Sequence, residues 1–280
     1  MSLLGEQMVG NMSFQLPGAG AFDDAPCTYG TSKLQFRGPK RALTRPYLAF
    51  LGGSETFGRF VERPFATLVE DGLNETCINL GCINGGLDTM LSDPQLIRIA
   101  TQASAVVLQV PGAAGLSNRY YRVHPRRNDR FVQATPALRR LYPQVDFTRI
   151  HFVRHLLLSL LDAAPDRFSV ITDELRARWT ARMSALARRL GGRVLLLWLA
   201  YDDTQDDLGA DPMLVSRTMI DKVVPLTLGH LRLPVQAAAQ SEDLAEMRFG
   251  EMQLPIAQHV IGPDQHRQIA AQLVTHLARQ

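Results

Sequence analysis

Short, continuously apolar runs separated by helical patterns most constrain the fold of this chain. Four of them lie at residues 47–51, 76–80, 105–110 and 193–199, and the first three end at glycine or proline. Consecutive apolar positions, rather than alternating ones, are typical of strands buried on both faces of a sheet. Because such strands alternate with helices, the sequence predicts a three-layer α/β/α domain around a parallel sheet.

The remaining segments complete this prediction. A weaker fifth strand is expected at 233–238. We predict helices at residues 54–68, 94–104, 152–162, 213–224 and 264–278. Another helix precedes the fourth strand, with Thr172 as its predicted N-cap and Gly191-Gly192 as its end. Residues 1–28 are predicted to be an N-terminal arm, and residues 29–280 one domain. The arginine-rich and aromatic segment 113–165 is predicted to be an insertion after strand 3.

Composition excludes several classes of protein. The 280 residues are 46% hydrophobic, enough for a large core, and the net charge of +3 does not predict a nucleic-acid partner. No apolar run is long enough to span a membrane. Three cysteines without a Cys-x-x-Cys clip indicate neither a disulfide framework nor a metal site, so a reducing cytoplasm is expected. No nucleotide-binding glycine motif is present, and no cofactor is expected.

Three loops follow predicted strands at the sheet edge where α/β proteins bind ligands. In the first, Gly52 and Gly53 allow a sharp turn that exposes Ser54 at the start of a helix, close to backbone N–H groups. A strand–helix connection capped by serine is the alternative interpretation. The second loop, 79–88, and the third, 111–114, are also rich in glycine or small residues.

In this order the loops resemble the SGNH (GDSL-type) hydrolase superfamily. The first block of that family, Gly-Asp-Ser-x-Thr-x-Gly, resembles residues 53–58, although Gly53 replaces its aspartate. The second block resembles a set of asparagine, glycine and aspartate positions, namely Asn79, Gly81, Asn84, Gly86 and Asp88. The resemblance implies a five-stranded, flavodoxin-like parallel sheet and a serine nucleophile that acts on esters or acyl groups.

Residue roles also come from this resemblance. Ser54 would be the nucleophile, and the backbone N–H groups of Ser54 and Asn84 would form the oxyanion hole. Ala114 stands where the third block has asparagine, so Asn118 is the nearest substitute. The last block has Asp-x-x-His before the final helix. Its counterpart here is irregular, with His259 and His266 as alternative bases and Asp264 as the acid.

A second resemblance links residues 29–196 to a bacterial domain family of unknown function. Residues 29–39 and 124–131 carry this match, which implies no activity.

The densest basic segment follows the third strand and leaves two interpretations open. It contains Arg119, His124, Arg126, Arg127 and Arg130. These side chains could form a solvated face paired with acidic neighbours. Alternatively, they bind a carboxylate, sulfate or phosphate on the substrate, because guanidinium groups bind such anions in a bidentate manner.

Three functions remain open from sequence. The first is an SGNH-like serine esterase or acyltransferase acting on a small or carbohydrate-linked acyl ester with an anionic group. The second is a degenerate relative that binds an anionic glycan or metabolite without cleaving it. The third is a transferase of cell-surface polysaccharide synthesis. A small-molecule or glycan partner is expected in each case, and association into a homo-oligomer stays open.

Overall fold

The computed structural model describes residues 26–44, 46–202 and 207–279. Almost all of the predicted N-terminal arm, residues 1–28, lies outside these ranges. Cys27, near the start of the described chain, pairs through its backbone with Phe36 as an isolated antiparallel bridge.

Five parallel strands form the central sheet, which confirms the predicted fold class. The strands of the chain are β1 (Leu48–Gly52), β2 (Cys77–Gly81), β3 (Ala105–Gln109), β4 (Tyr121–His124), β5 (Arg127–Ala134), β6 (Val194–Tyr201) and β7 (Gly229–Val235). The sheet has the order β2-β1-β3-β6-β7, and β4 and β5 form a separate antiparallel hairpin. This order is that of a flavodoxin-like, doubly wound sheet. β7 carries Pro234 at the sheet edge, where one missing N–H is tolerated.

Helices cover both faces of the sheet. They are α1 (Ser54–Phe57), α2 (Phe65–Leu73), α3 (Leu87–Ser92), α4 (Pro94–Gln102), α5 (Pro136–Leu141), α6 (Val153–Ala163), α7 (Pro165–Arg189), α8 (Arg217–Val223), α9 (Leu254–Ala257) and α10 (Pro263–Leu277). α2 and α10 pack on one face, where Phe65 and Ile269 share a cluster with Phe50. α4, α7 and α8 cover the other face with side chains such as Trp179 and Ile220. The result is three layers.

The helix predicted at 54–68 is wrong, because the structure has two helices there. α1 ends after one turn at Gly58, whose φ of 66° is left-handed and favours glycine. Pro64 then precedes α2 in an extended conformation. The helix predicted at 213–224 is also shorter, since Leu214 has a φ of 63° and Ser216 is extended, so α8 begins at Arg217.

The insertion predicted at 113–165 contains the β4–β5 hairpin, α5 and α6. It has its own apolar core, in which Tyr121, Tyr142 and Leu157 pack against Phe168 and Leu175 of α7. α7 therefore begins at Pro165, well before the predicted cap. Thr172 is not an N-cap: it lies inside α7, and its hydroxyl donates to the carbonyl of Ser169. The first turns of α7 therefore pack against the insertion, and its later turns pack against the sheet.

Gly81, at the end of β2, gives a direct test of how tightly α1 packs on the sheet. A Cβ at this position would lie 2.4 Å from the backbone nitrogen of Phe57, which cannot move without displacing α1. We expect Gly81→Ala to lower the free energy of unfolding by about 1–3 kcal/mol, as overpacking does. Urea denaturation measures this loss.

Gly72→Ala is the matched control. Its new Cβ would meet a side-chain methyl of Val274 rather than backbone, and alanine favours the helix by roughly 0.5–1 kcal/mol over glycine. Equal destabilisation by both substitutions would contradict the tight packing of α1 against β2.

Candidate functional site

A cavity of about 300 Å³ opens at the carboxyl ends of the parallel strands. The chain leaves β1 toward β2 on one side of the sheet, and β3 leads toward β6 on the other. Such a reversal of winding leaves a crevice, and ligands of open α/β sheets bind there. The turn at Ser54 and the side chain of Gln109 line this cavity, together with Tyr201 at the end of β6. The predicted position of the site at the Ser54 turn thus coincides with the cavity.

Gln109 fixes the conformation of the turn that carries Ser54. Its side-chain Oε1 accepts hydrogen bonds from the N–H of Gly53 at 3.0 Å, the hydroxyl of Thr56 at 2.6 Å and the N–H of Thr56 at 3.3 Å. Gly52 is required here, because a Cβ would lie 1.9 Å from the Thr56 hydroxyl oxygen. One side chain of β3 therefore holds both flanks of Ser54.

Ser54 is hydrogen-bonded to Asn84 in the loop after β2. The N–H of Asn84 donates to Ser54 Oγ at 3.1 Å, and that hydroxyl donates to Asn84 Oδ1 at 3.4 Å. Asn84 has a φ of 56°, the left-handed conformation that glycine adopts freely and asparagine tolerates. This conformation explains how asparagine can stand where the resembled family has glycine, and it brings the two loops into contact.

Glu55 lies beside Ser54 and also lines the cavity. Its Oε2 accepts a hydrogen bond from Gln109 Nε2 at 2.7 Å, and the Tyr201 hydroxyl lies 3.4 Å from its Oε1. Burial, and to a smaller extent the charge of Asp211, raises the pKa of Glu55 above its ordinary value. Burial together with Glu55 and Asp211 likewise raises the pKa of Tyr201. Both pKa values are therefore shifted in the direction that favours the neutral form, while the hydrogen bonds from Gln109 and Tyr201 oppose the shift at Glu55.

Two further carboxylates line the cavity, and each faces an arginine. Asp129 lies 3.9 Å from Arg130, and Asp211 lies 3.9 Å from Arg154. Burial raises the pKa of Asp129, although Arg127 and Arg130 act in the opposite direction. Arg154 and Asp211 both line the cavity, so their opposite charges lie side by side at its surface. The ionised groups around the cavity are thus largely balanced.

The histidines expected as bases lie elsewhere. His266 is fully buried, its Nδ1 accepts the N–H of Phe65 at 3.0 Å, and its ring stacks on that of Phe65 at 5.4 Å. Burial, with a smaller contribution from Arg37, lowers the pKa of His266 to about 3. His266 does not line the Ser54 cavity, and a ring with a pKa this low is a poor base near neutral pH.

His259 and Asp264 do not complete a catalytic group either. His259 is exposed, and no histidine of the chain, all of which are described, lines the Ser54 cavity. Asp264 is exposed and forms a hydrogen-bonded ion pair with Arg267, one turn along α10. The irregular last block therefore belongs to the surface and start of α10, and within the described ranges it places no histidine beside Ser54 in the cavity lining.

Asn118 is a loop-stabilising residue and not an oxyanion donor. Its side chain is buried, its Nδ2 donates to the carbonyl of Leu116 at 2.7 Å, and its Oδ1 accepts the N–H groups of Tyr120 and Tyr121. Since the amide nitrogen points into its own loop and Asn118 does not line the cavity, the expected substitution for Ala114 is not made.

The basic segment does not form the expected anion clamp. Arg119, Arg126 and Arg127 are exposed, and none of them lines the cavity. Arg130 lies over the ring of Phe152 at 4.2 Å and beside Asp129. His124 accepts the N–H of Arg126 at its Nδ1. These positions favour the interpretation of a solvated and internally paired surface for these side chains.

Asn128 is a site residue that sequence reasoning missed. It lines the cavity from β5, and its side chain accepts the N–H of Thr89 at 3.1 Å and donates to the carbonyl of His124 at 3.0 Å. Gly86 is needed beside it, because a Cβ there would lie 2.8 Å from Asn128 Oδ1. In the sequence, Asn128 stands among arginines, and the basic pattern of that segment concealed it.

Metal and thiol chemistry find no support in this region. Among the described residues, no group of histidine, cysteine, aspartate and glutamate side chains could hold a metal ion. Cys82 is buried, and burial raises the pKa of its thiol to about 12, which disfavours the reactive thiolate.

In the described ranges, no helix is sufficiently long and apolar to cross a membrane.

Comparison with known proteins gives the family. A family model described as "Domain of unknown function (DUF6473)" matches residues 12–280. The chain belongs to this family. The expectation of a family of unknown function is therefore confirmed, and it brings no activity with it. No curated protein matched the chain.

A lipase is among the solved structures that are similar to the chain at a low level. It is the lipase Lip_vut3 from goat rumen metagenome, which is 13% identical and superposes with a TM-score of 0.42. The similarity covers 82% of this chain and 96% of the lipase chain. At this level the likeness carries no argument about activity.

His266 predicts a specific pH dependence of stability. Because its folded-state pKa of about 3 is below the ordinary value of 6.5, the neutral ring stabilises the fold above pH 6.5, and this stability is lost as the pH falls toward 3. We expect His266→Gln to remove a pH-dependent loss on the order of 4 kcal/mol across that window. Urea denaturation at several pH values measures it.

Met252→Gln serves as the control, because Met252 is 85% exposed and carries no titratable group. It should leave the pH dependence unchanged. If the wild-type protein and His266→Gln lose stability in parallel on acidification, the buried neutral histidine is refuted.

Proposed function

We propose that the Ser54 cavity binds a neutral, hydroxyl-bearing small molecule of about the size of a monosaccharide and does not cleave an ester through a serine–histidine pair. The observation that carries this proposal is the absence of any histidine from the lining of the cavity, while Ser54, Asn84 and Tyr201 offer hydroxyl and amide groups. A volume of about 300 Å³ is at the lower end of small-molecule sites, as expected for a small ligand.

The charges around the cavity favour a neutral ligand over the anionic one expected from sequence. Glu55, Asp129 and Asp211 line the cavity, and Arg154 is the arginine among its lining residues. An anionic group would therefore face Asp129 and Asp211 as well as Arg154, whose charge is already shared with Asp211. Phe152 and Met213 supply apolar surface in the lining, against which the C–H face of a sugar can pack.

A serine esterase or acyltransferase is the second candidate. It is favoured by one observation, the hydrogen bond from the N–H of Asn84 to Ser54 Oγ, which joins the two residues that would form the nucleophile and the oxyanion hole. Against it stands the acceptor next to the Ser54 hydroxyl, which is Asn84 Oδ1 at 3.4 Å, an amide oxygen that cannot act as a general base. The transferase of polysaccharide synthesis stays a prediction from sequence.

Binding is tested with a panel of neutral monosaccharides and their uronic acids by saturation-transfer NMR. We expect at least one neutral sugar to bind and its uronic acid to bind more weakly. Met213→Trp fills the cavity and should weaken binding by roughly tenfold or more. Met252→Trp is the matched control, since Met252 is 85% exposed outside the cavity. Stronger binding of the uronic acids would contradict the proposal.

The second candidate is tested with a serine-directed fluorophosphonate probe. Without a base to activate Ser54, we expect the wild-type protein to remain unlabelled under conditions in which a control esterase is labelled. Mass spectrometry locates any adduct. Labelling at Ser54 that disappears in Ser54→Ala would establish the esterase candidate in place of the binding protein.

A further inference from the structure

We propose that the groove between α7 and α8 binds an acidic, extended segment of a partner protein. The groove has a volume of about 880 Å³. α7 supplies one wall, with Arg176 and Arg188, and α8 supplies the other, with Thr218 and Lys222. The groove shares no lining residue with the Ser54 cavity, so this proposal does not depend on the proposed function.

The first step is the distance between the cations along α7. Arg176 and Arg188 are twelve residues apart within this continuous helix. At a rise of 1.5 Å per residue, their backbone positions are separated by about 18 Å along the helix axis. The two arginines therefore mark opposite ends of a long groove.

The second step places Lys222 at one of these ends. The turn Val224–Leu226, which follows α8, packs against α7. A Cβ at Gly192, just beyond the end of α7, would lie 3.8 Å from the carbonyl oxygen of Leu226. The end of α8 thus lies beside the end of α7, and Lys222 shares that end of the groove with Arg188.

The third step is the charge balance of the groove. Arg188 and Lys222 are exposed, and neither forms an ion pair with another described residue. Arg176 lies 3.9 Å from Asp173, and because both side chains are largely exposed this pair is weak. Asp173 is the one acidic side chain among the described lining residues. The groove therefore presents an excess of positive charge, which favours an anionic partner.

The length of the groove determines the form of that partner. A single carboxylate or phosphate group cannot contact cations at both ends. An extended peptide advances roughly 3.3 Å per residue, so about five or six residues cover the ~18 Å between Arg176 and Arg188. We therefore expect acidic residues at two positions separated by about that many residues.

The floor of the groove favours a peptide over a nucleic acid. Ala177 and Ala181 are short and leave room for a backbone, and the Ser184 hydroxyl can donate to or accept from a peptide group. Within the described ranges, no aromatic side chain lines the groove. The bases of a single-stranded nucleic acid would therefore lack the aromatic surfaces on which they usually stack.

Two synthetic peptides of identical composition test the spacing by fluorescence polarisation. One carries two pairs of glutamates separated by about five neutral residues, and the other carries the four glutamates together. We expect the spaced peptide to bind at least about threefold more tightly, and its affinity to fall as salt is added. Equal affinity of the two peptides, absence of binding, or tighter binding of a single-stranded oligonucleotide of the same net charge would overturn the proposal.

Charge reversal within the last turn of α7 tests the location. Arg188→Glu should weaken binding of the spaced peptide by about tenfold, because it replaces attraction by repulsion. Arg189→Glu is the matched control, since Arg189 is exposed in the same helical turn but does not line the groove, and it should change affinity by about twofold at most. An equal loss in both variants would indicate unspecific attraction to a basic surface and overturn the proposal.

A steric variant tests the groove without changing its charge. Ala181→Trp would fill the floor and should abolish binding, whereas Ala185→Trp should not, because Ala185 is equally exposed on α7 but lies outside the groove. Full binding by Ala181→Trp would show that the peptide lies elsewhere.

Discussion

The amide of Gln109 joins the first and third strands of the sheet at the point where the winding of the chain reverses. Parallel strands alone bring the ends of β1 and β3 close together, since Leu51 pairs with Leu108. They do not determine the path of the chain beyond those ends. The three donors that converge on Gln109 Oε1 determine that path, and they close the turn around Ser54 within a single helical turn. The position of Ser54, its contact with Asn84 and the orientation of Glu55 all depend on this turn.

The sheet could be predicted from sequence because each of its central strands is buried on both faces. Residues 194–199 are buried at every position, and that burial is what a continuous apolar run records. The helices were harder, because their ends depend on backbone conformations that no periodicity reveals. The split at Gly58 needed a left-handed residue, and the early start of α7 depends on the insertion core against which Phe168 packs.

The candidate site was predictable only where its residues follow strands directly. Ser54 and Asn84 stand in glycine-rich loops, and parallel pairing of β1 with β2 brings such loops together. Gln109 closes an apolar run, and its amide could be assigned a role only through donors more than fifty positions away. The histidines were expected as bases because of a local motif near the last helix. His266 instead accepts the buried N–H of Phe65, and nothing in a local motif distinguishes such a ring from a base.

The cavity has two sources with different physical constraints. One wall comes from the sheet and the turn after β1, with Gly53, Ser54 and Gln109. Close contacts around the glycines of this turn leave little room for larger side chains. The opposite wall comes from the insertion, with Asn128 on β5 and Arg154 on α6. The insertion has a core of its own, so its surface side chains can vary without altering the sheet. Under the proposed function, ligand selectivity would be divided between these two walls: the sheet supplies a fixed turn with one carboxyl group beside it, and the insertion supplies the groups on the opposite side of the cavity.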